Sequence, residues 1–102
     1  MGTLYSYDIY ALDEHSLFFR YRSVRASSFV SAFYHMMLKN LILQDRRVSL
    51  YCMRPHSGDL QLMGVYDGIS VMHQNGETHS RVLDLSNGER YELGEEGFTR
   101  VL

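Results

Sequence analysis

The chain has 102 residues, 45% of them apolar and 13% aromatic, with a single proline; this composition excludes disordered and low-complexity classes and predicts a packed core. That length suits one domain, residues 1–102, burying roughly two thirds of its unfolded surface without a disulfide or metal to hold it. The net charge of −2 excludes a uniformly basic nucleic-acid binder, yet it hides a segregated layout. Residues 16–57 carry Arg20, Arg22, Arg25, Lys39, Arg46, Arg47 and Arg54 against Asp45 alone, whereas residues 58–102 carry eight acidic side chains against Arg81, Arg90 and Arg100. If the fold keeps these segments apart, one surface is positive and another negative.

Cys52 is the only cysteine, so no internal disulfide forms. Met1 to Leu12 has no basic n-region and carries Asp8 among its apolar residues, unlike a signal peptide. No apolar run approaches the roughly 20 residues of a membrane span. A cytoplasmic location with no membrane contact is therefore expected.

Leu4 to Leu12 reads as a strand, and Asp13, Glu14, His15 and Ser16 as a turn. Leu17 to Val24 then alternates Leu17, Phe19, Tyr21 and Ser23 with Phe18, Arg20, Arg22 and Val24, a return strand with one wet face. The only long segment with helical spacing follows, from Ser27 to about Leu43, where Phe29, Phe33, Met36 or Met37, Asn40 or Leu41 and then Leu43 recur along one helix face. Ser27 or Ser28 supplies the hydroxyl that caps it. A helix of about 16 residues spans roughly 24 Å, enough to cover a small sheet.

From Val48 the period changes to two. Strands are predicted at Val48 to Met53, Leu60 to Tyr66, Ile69 to Gln74, Thr78 to Leu85, Arg90 to Leu93 and Phe98 to Val101. Asp67-Gly68, Asn75-Gly76 and Asn87-Gly88 supply two-residue hairpin signals between them. The order predicts an α+β fold: strand, strand, helix, then a C-terminal meander, with a mainly antiparallel sheet and one helix packed on a face.

Catalytic chemistry finds little support. Cys52, His56 and Asp59 are close in sequence, but Cys52 shares the strand side of Val48 and Leu50, where cysteines are inert filler. His73 and His79 flank Asn75-Gly76 and share a face only with a three-residue loop; even then they fall short of the three or four ligands of a zinc site. The pairs Asp13 with Glu14 and Glu95 with Glu96 read as solvated turn charges. No phosphate loop, nucleophile elbow or dinucleotide fingerprint is present. No catalytic residue, metal, cofactor or small-molecule ligand is therefore assigned.

Two binding readings remain. Eight tyrosines and six methionines are residue types favoured at contact surfaces; those of Tyr5, Tyr7, Tyr10, Tyr51 and Tyr66 facing away from the helix would form an aromatic patch. The helix is also apolar over more than one stripe, which leaves Tyr34, Met37, Leu38 and Leu41 as a candidate contact face. The leading expectation is a non-enzymatic protein-interaction module, an inhibitor or regulator of a larger complex of the kind that small bacterial, phage or mobile-element proteins supply, acting on a protein partner or by self-association as a homodimer. The alternative is a nucleic-acid binder using Arg20, Arg22, Arg25, Arg46 and Arg47, since sheets that bind single strands combine basic residues with aromatics.

Overall fold

A computed structural model describes residues 2–15, 18–54, 56–69 and 81–102. Seven strands form one antiparallel sheet: β1 (Tyr5–Asp13), β2 (Phe18–Ala26), β3 (Arg47–Met53), β4 (Leu60–Asp67), β5 (Val82–Leu85), β6 (Arg90–Gly94) and β7 (Gly97–Val101). Their spatial order is β2-β1-β3-β4-β5-β6-β7, and the sheet curls into a half-barrel. The expected α+β class with a mainly antiparallel sheet is present.

The helix is shorter than its apolar run suggests. Helix α1 covers Phe29–Lys39, and a 3-10 turn over Leu41–Asp45 replaces its expected last turn. Ser28 caps the start, its Oγ accepting from the Ser31 N–H at 3.2 Å. The break falls at Asn40, whose φ of −139° and ψ of 81° are not helical. Its N–H still donates to the carbonyls of Met36 and Met37, and the Leu43 N–H donates to its carbonyl. This change of path brings Leu43 into the core and leaves Leu41 and Ile42 exposed. Hydrophobic spacing alone misses the break, because Leu41 and Leu43 extend the apolar pattern whichever turn type carries them.

Burial explains the period-two pattern. Ile9, Ala11, Val48, Leu50, Tyr66 and Leu83 from the strands share one cluster with Phe29, Ala32, Phe33, Met36, Met37 and Leu43. Cross-strand register holds this set together: Ala11 pairs with Leu50, Val48 with Tyr66, and Tyr66 with Leu83. On the opposite side of the sheet, Leu12 pairs with Phe18 and with Ser49, and Ser49 with Val65. The tyrosines separate accordingly. Tyr66 is wholly buried and Tyr7 packs against the core, whereas Tyr10 and Tyr51 pair on the other side. The apolar groups most open there are Leu12, Phe18, Leu62 and Val65 rather than tyrosines.

The turn signals divide in the same physical terms. Asn87-Gly88 does join β5 to β6, with the Gly88 N–H donating to Leu85 and Gly88 at a φ of 95° that favours glycine. Asp67-Gly68 does not close a two-residue hairpin, because Tyr66 pairs with Leu83 and Asp67 with Val82. Gly68 is needed for close approach instead: its N–H donates to the Arg46 carbonyl at 2.9 Å. A Cβ there would collide with the Gln44 carbonyl oxygen and the Tyr66 ring. Gly68→Ala is expected to lose about 2 kcal/mol of stability through this overpacking, read as a lower urea midpoint with an unchanged slope. The hairpin expected at Asn75-Gly76, all but Ile69 of the strand expected at 69–74, residues 78–80 of the strand expected at 78–85, and both His73 and His79 lie outside the described residues; the rest of the 78–85 expectation contains β5.

Candidate functional site

The residues expected to work together fall in several places. Of the helix set, Met37 is wholly buried in the core. It has no surface to offer a partner, because it points the same way as Phe33 and Met36. Tyr34 is half-buried and meets Phe98 edge-on, with ring centroids 6.1 Å apart. Leu38 and Leu41 are exposed, at 48% and 62%. The helical spacing joined them into one face; burial leaves only Leu38 and Leu41 as open apolar contacts.

The basic residues also separate. Arg46 and Arg47 stand at the start of β3, two strands from β2, and both are held by acids: Arg46 Nη1 lies 2.8 Å from Asp13 Oδ2, and Arg47 Nη2 lies 3.1 Å from Asp67 Oδ2. Asp13 is not a solvated turn charge. It is the last residue of β1, its side chain only 2% exposed. The chain stays extended one residue longer than its polarity suggests, because Asp13 pairs with Val48 across the sheet.

Arg20, Arg22 and Arg25 remain together on β2, which pairs with β1 alone among the described strands. Of the ten Lys and Arg side chains, Arg46, Arg47, Arg81, Arg90 and Arg100 make ion pairs with acids. Four of the other five, Arg20, Arg22, Arg25 and Lys39, lie on β2 or on the last turn of α1, and no acid lies within ion-pair distance of them among the described residues. The charge segregation visible in the sequence thus survives folding at this edge. Arg20 lies over the Tyr10 ring, 5.1 Å from its centroid, while Arg22 and Arg25 line a groove that faces α1.

That groove, of about 490 Å³, runs between Tyr21–Arg25 of β2 and His35–Lys39 of α1. Tyr21, Val24, Met36 and Leu38 supply apolar wall; Arg22, Arg25 and Lys39 supply the charge. A β-bulge shapes the strand side. The register with β1 slips between Tyr7 and Ile9, Ser23 adopts a φ of 55°, and its N–H donates to Asp8 Oδ1 at 2.8 Å. The bulge turns Val24 inward while Arg22, Ser23 and Arg25 stay exposed. Simple alternation put Val24 on the wet face and Ser23 on the dry one; the extra residue reverses both.

Cys52 shows no sign of an activated nucleophile. Burial, followed by the nearby Asp8 carboxylate, pushes its thiol up to about 12 from an ordinary value of 9.0, the opposite of the depression a reactive thiolate needs. His56 and Asp59 are exposed in the β3–β4 turn, which is closed by the Arg54 N–H donating to the Asp59 carbonyl. Iodoacetamide is expected to label Cys52 slowly at pH 8 in the folded chain and rapidly in urea. The raised thiol also fixes a sign for stability. Its contribution is intact below the unfolded value near 9 and is lost as pH rises toward about 12, so alkaline melts should show a decline that Cys52→Ser reduces.

No cluster of three or more His, Cys, Asp or Glu side chains suited to a metal occurs among the described residues. No helix among them is long and apolar enough to cross a membrane. No family model, curated protein or solved structure matches this chain.

Proposed function

We propose that this chain is a non-enzymatic protein-interaction module, an inhibitor or regulator that acts by occupying a surface of a larger complex, and that its contact surface is the side where β2 meets α1. In this reading α1 packs on one face of the sheet and its last turn forms one bank of the contact groove. The observation that carries the proposal is the coincidence, on one edge, of Arg22, Arg25 and Lys39, without acidic partners among the described residues, and of exposed Leu38 beside them. Apolar contacts rimmed by charge are the usual composition of a recognition surface. The outer sheet side around Phe18, Leu62 and Val65 is also apolar, but no comparable set of unpaired charges points to what would cover it.

The test is affinity capture from source extract with and without nuclease treatment, with wild type and Arg22→Glu/Arg25→Glu/Lys39→Glu compared side by side. A protein retained by wild type and lost by the variant supports the reading. Equal retention by both removes the groove as the contact surface. Retention that disappears on nuclease treatment transfers Arg20, Arg22 and Arg25 to the nucleic-acid reading.

A further inference from the structure

Resting on that reading, we infer that the groove between β2 and α1 takes an acidic, extended segment of a partner protein, in which an apolar side chain sits between carboxylates. The volume, about 490 Å³, falls within the roughly 300–1,000 Å³ of sites that enclose small ligands, so a short segment fits. The wall chemistry then sets the composition. Val24 and the exposed Leu38 offer apolar surface to one side chain, while Arg22 and Arg25 on one bank and Lys39 on the other offer cations. Arginine recognises a carboxylate through two parallel hydrogen bonds, a geometry a neutral amide matches poorly.

Two other occupants fit less well. A second copy joined edge to edge through β2 would set Arg20, Arg22 and Arg25 against their own counterparts, and like charges facing across a strand pair destabilise it. The bulge at Ser23 also diverts the strand and commits the Ser23 N–H to Asp8, so the edge is a broken template for an eighth strand. Recognition therefore runs through side chains rather than the backbone ladder. A nucleic-acid strand needs a track of cations along its phosphates, whereas Arg46 and Arg47, which would extend such a track, are held by Asp13 and Asp67.

The inference is tested by fluorescence anisotropy with three labelled probes: an octapeptide of alternating glutamate and leucine, its glutamine counterpart, and a single-stranded oligothymidylate. The glutamate peptide should bind about ten-fold more tightly than the glutamine peptide at low salt and weaken as salt rises. Arg22→Ala/Lys39→Ala should lose about the same factor, and Leu38→Ala a smaller one, with melting temperatures near wild type because these groups are exposed. Equal binding of the two peptides, no binding of either, or an oligothymidylate that displaces the glutamate peptide would each overturn it. A protein captured through the groove in the extract experiment, together with no preference for glutamate here, would sink the acidic segment while leaving the interaction module standing.

Discussion

Phe33→Ala is expected to remove about 3–5 kcal/mol from a domain whose whole stability is of the order of 5–15 kcal/mol. Phe33 has no exposed surface and sits between the central strand β4 and the edge strand β7. Its ring lies edge-on to Tyr66 of β4 at 5.4 Å and stacks with Phe98 of β7 at 5.9 Å, and those two rings meet each other at 6.0 Å. Three rings from three distant parts of the chain thus hold one another, and truncating the central one opens a cavity that Tyr66 has little freedom to fill. The Tyr66 hydroxyl donates to the Gln44 carbonyl at 2.8 Å, and Gly68 packs against the ring. A urea titration of Phe33→Ala should therefore show a much lower midpoint, and amide exchange in β7 should accelerate more than in β1, because Phe98 loses its partner. Phe33→Leu should cost about 1.5 kcal/mol. Phe18→Ala provides the control: at 57% exposure on the opposite side of the sheet, it should cost less than about 1 kcal/mol. Equal losses at Phe33 and Phe18 would show that the cluster around Phe33, Tyr66 and Phe98 is not the main core.

Much of this packing was legible because local pattern and tertiary burial agree. The period-two spacing of Val48, Leu50 and Cys52 put them on the core side, where the structure has them, and Phe29, Phe33 and Met36 fell on the buried stripe of α1. The failures share one cause: each depends on a partner remote in sequence. Asn40 ends the helix because Leu43 must enter the core, which no helical propensity of Leu41 or Ile42 reveals. Gly68 resembles a hairpin glycine, but its reason is the backbone at Gln44, within the 3-10 turn and 24 residues earlier. Val24 and Ser23 exchange faces because Asp8, fifteen residues earlier, accepts the Ser23 N–H.

The candidate site was legible in its charge and not in its membership. Seven basic residues between 20 and 54 marked a positive region, yet only the fold distinguishes Arg22 and Arg25, which keep no acid within reach among the described residues, from Arg46 and Arg47, which are spoken for. Leu38 was singled out by helical spacing along with Met37, one residue away, and that single step of about 100° around the helix separates an exposed contact from a core side chain. Lys39 belonged to the same positive region but not to either set of candidate residues. Its place on the last turn of α1, across the groove from β2, makes it part of the proposed contact surface.

The ion pair that removes Arg46 from the candidate surface supplies the second large effect. Asp13→Ala should destabilise the chain by about 3–5 kcal/mol, far more than a solvated turn carboxylate could. The carboxylate accepts from Arg46 Nη1 at 2.8 Å and from the His15 N–H at 2.9 Å, and only 2% of the side chain is exposed. Its loss leaves a guanidinium, 28% exposed, without its carboxylate and with an Nε already buried without an acceptor among the described residues. Asp13→Asn separates charge from hydrogen bonding: it keeps an acceptor for the His15 N–H and should lose roughly half as much. Arg46→Met in the Asp13→Ala background should recover part of the loss, since a buried pair replaced at both ends by apolar groups is often close to neutral. The double-mutant cycle would then give a coupling of about 2 kcal/mol. If the two substitutions add without coupling, the contact is a surface pair, and Arg46 returns to the set of cations available to a partner.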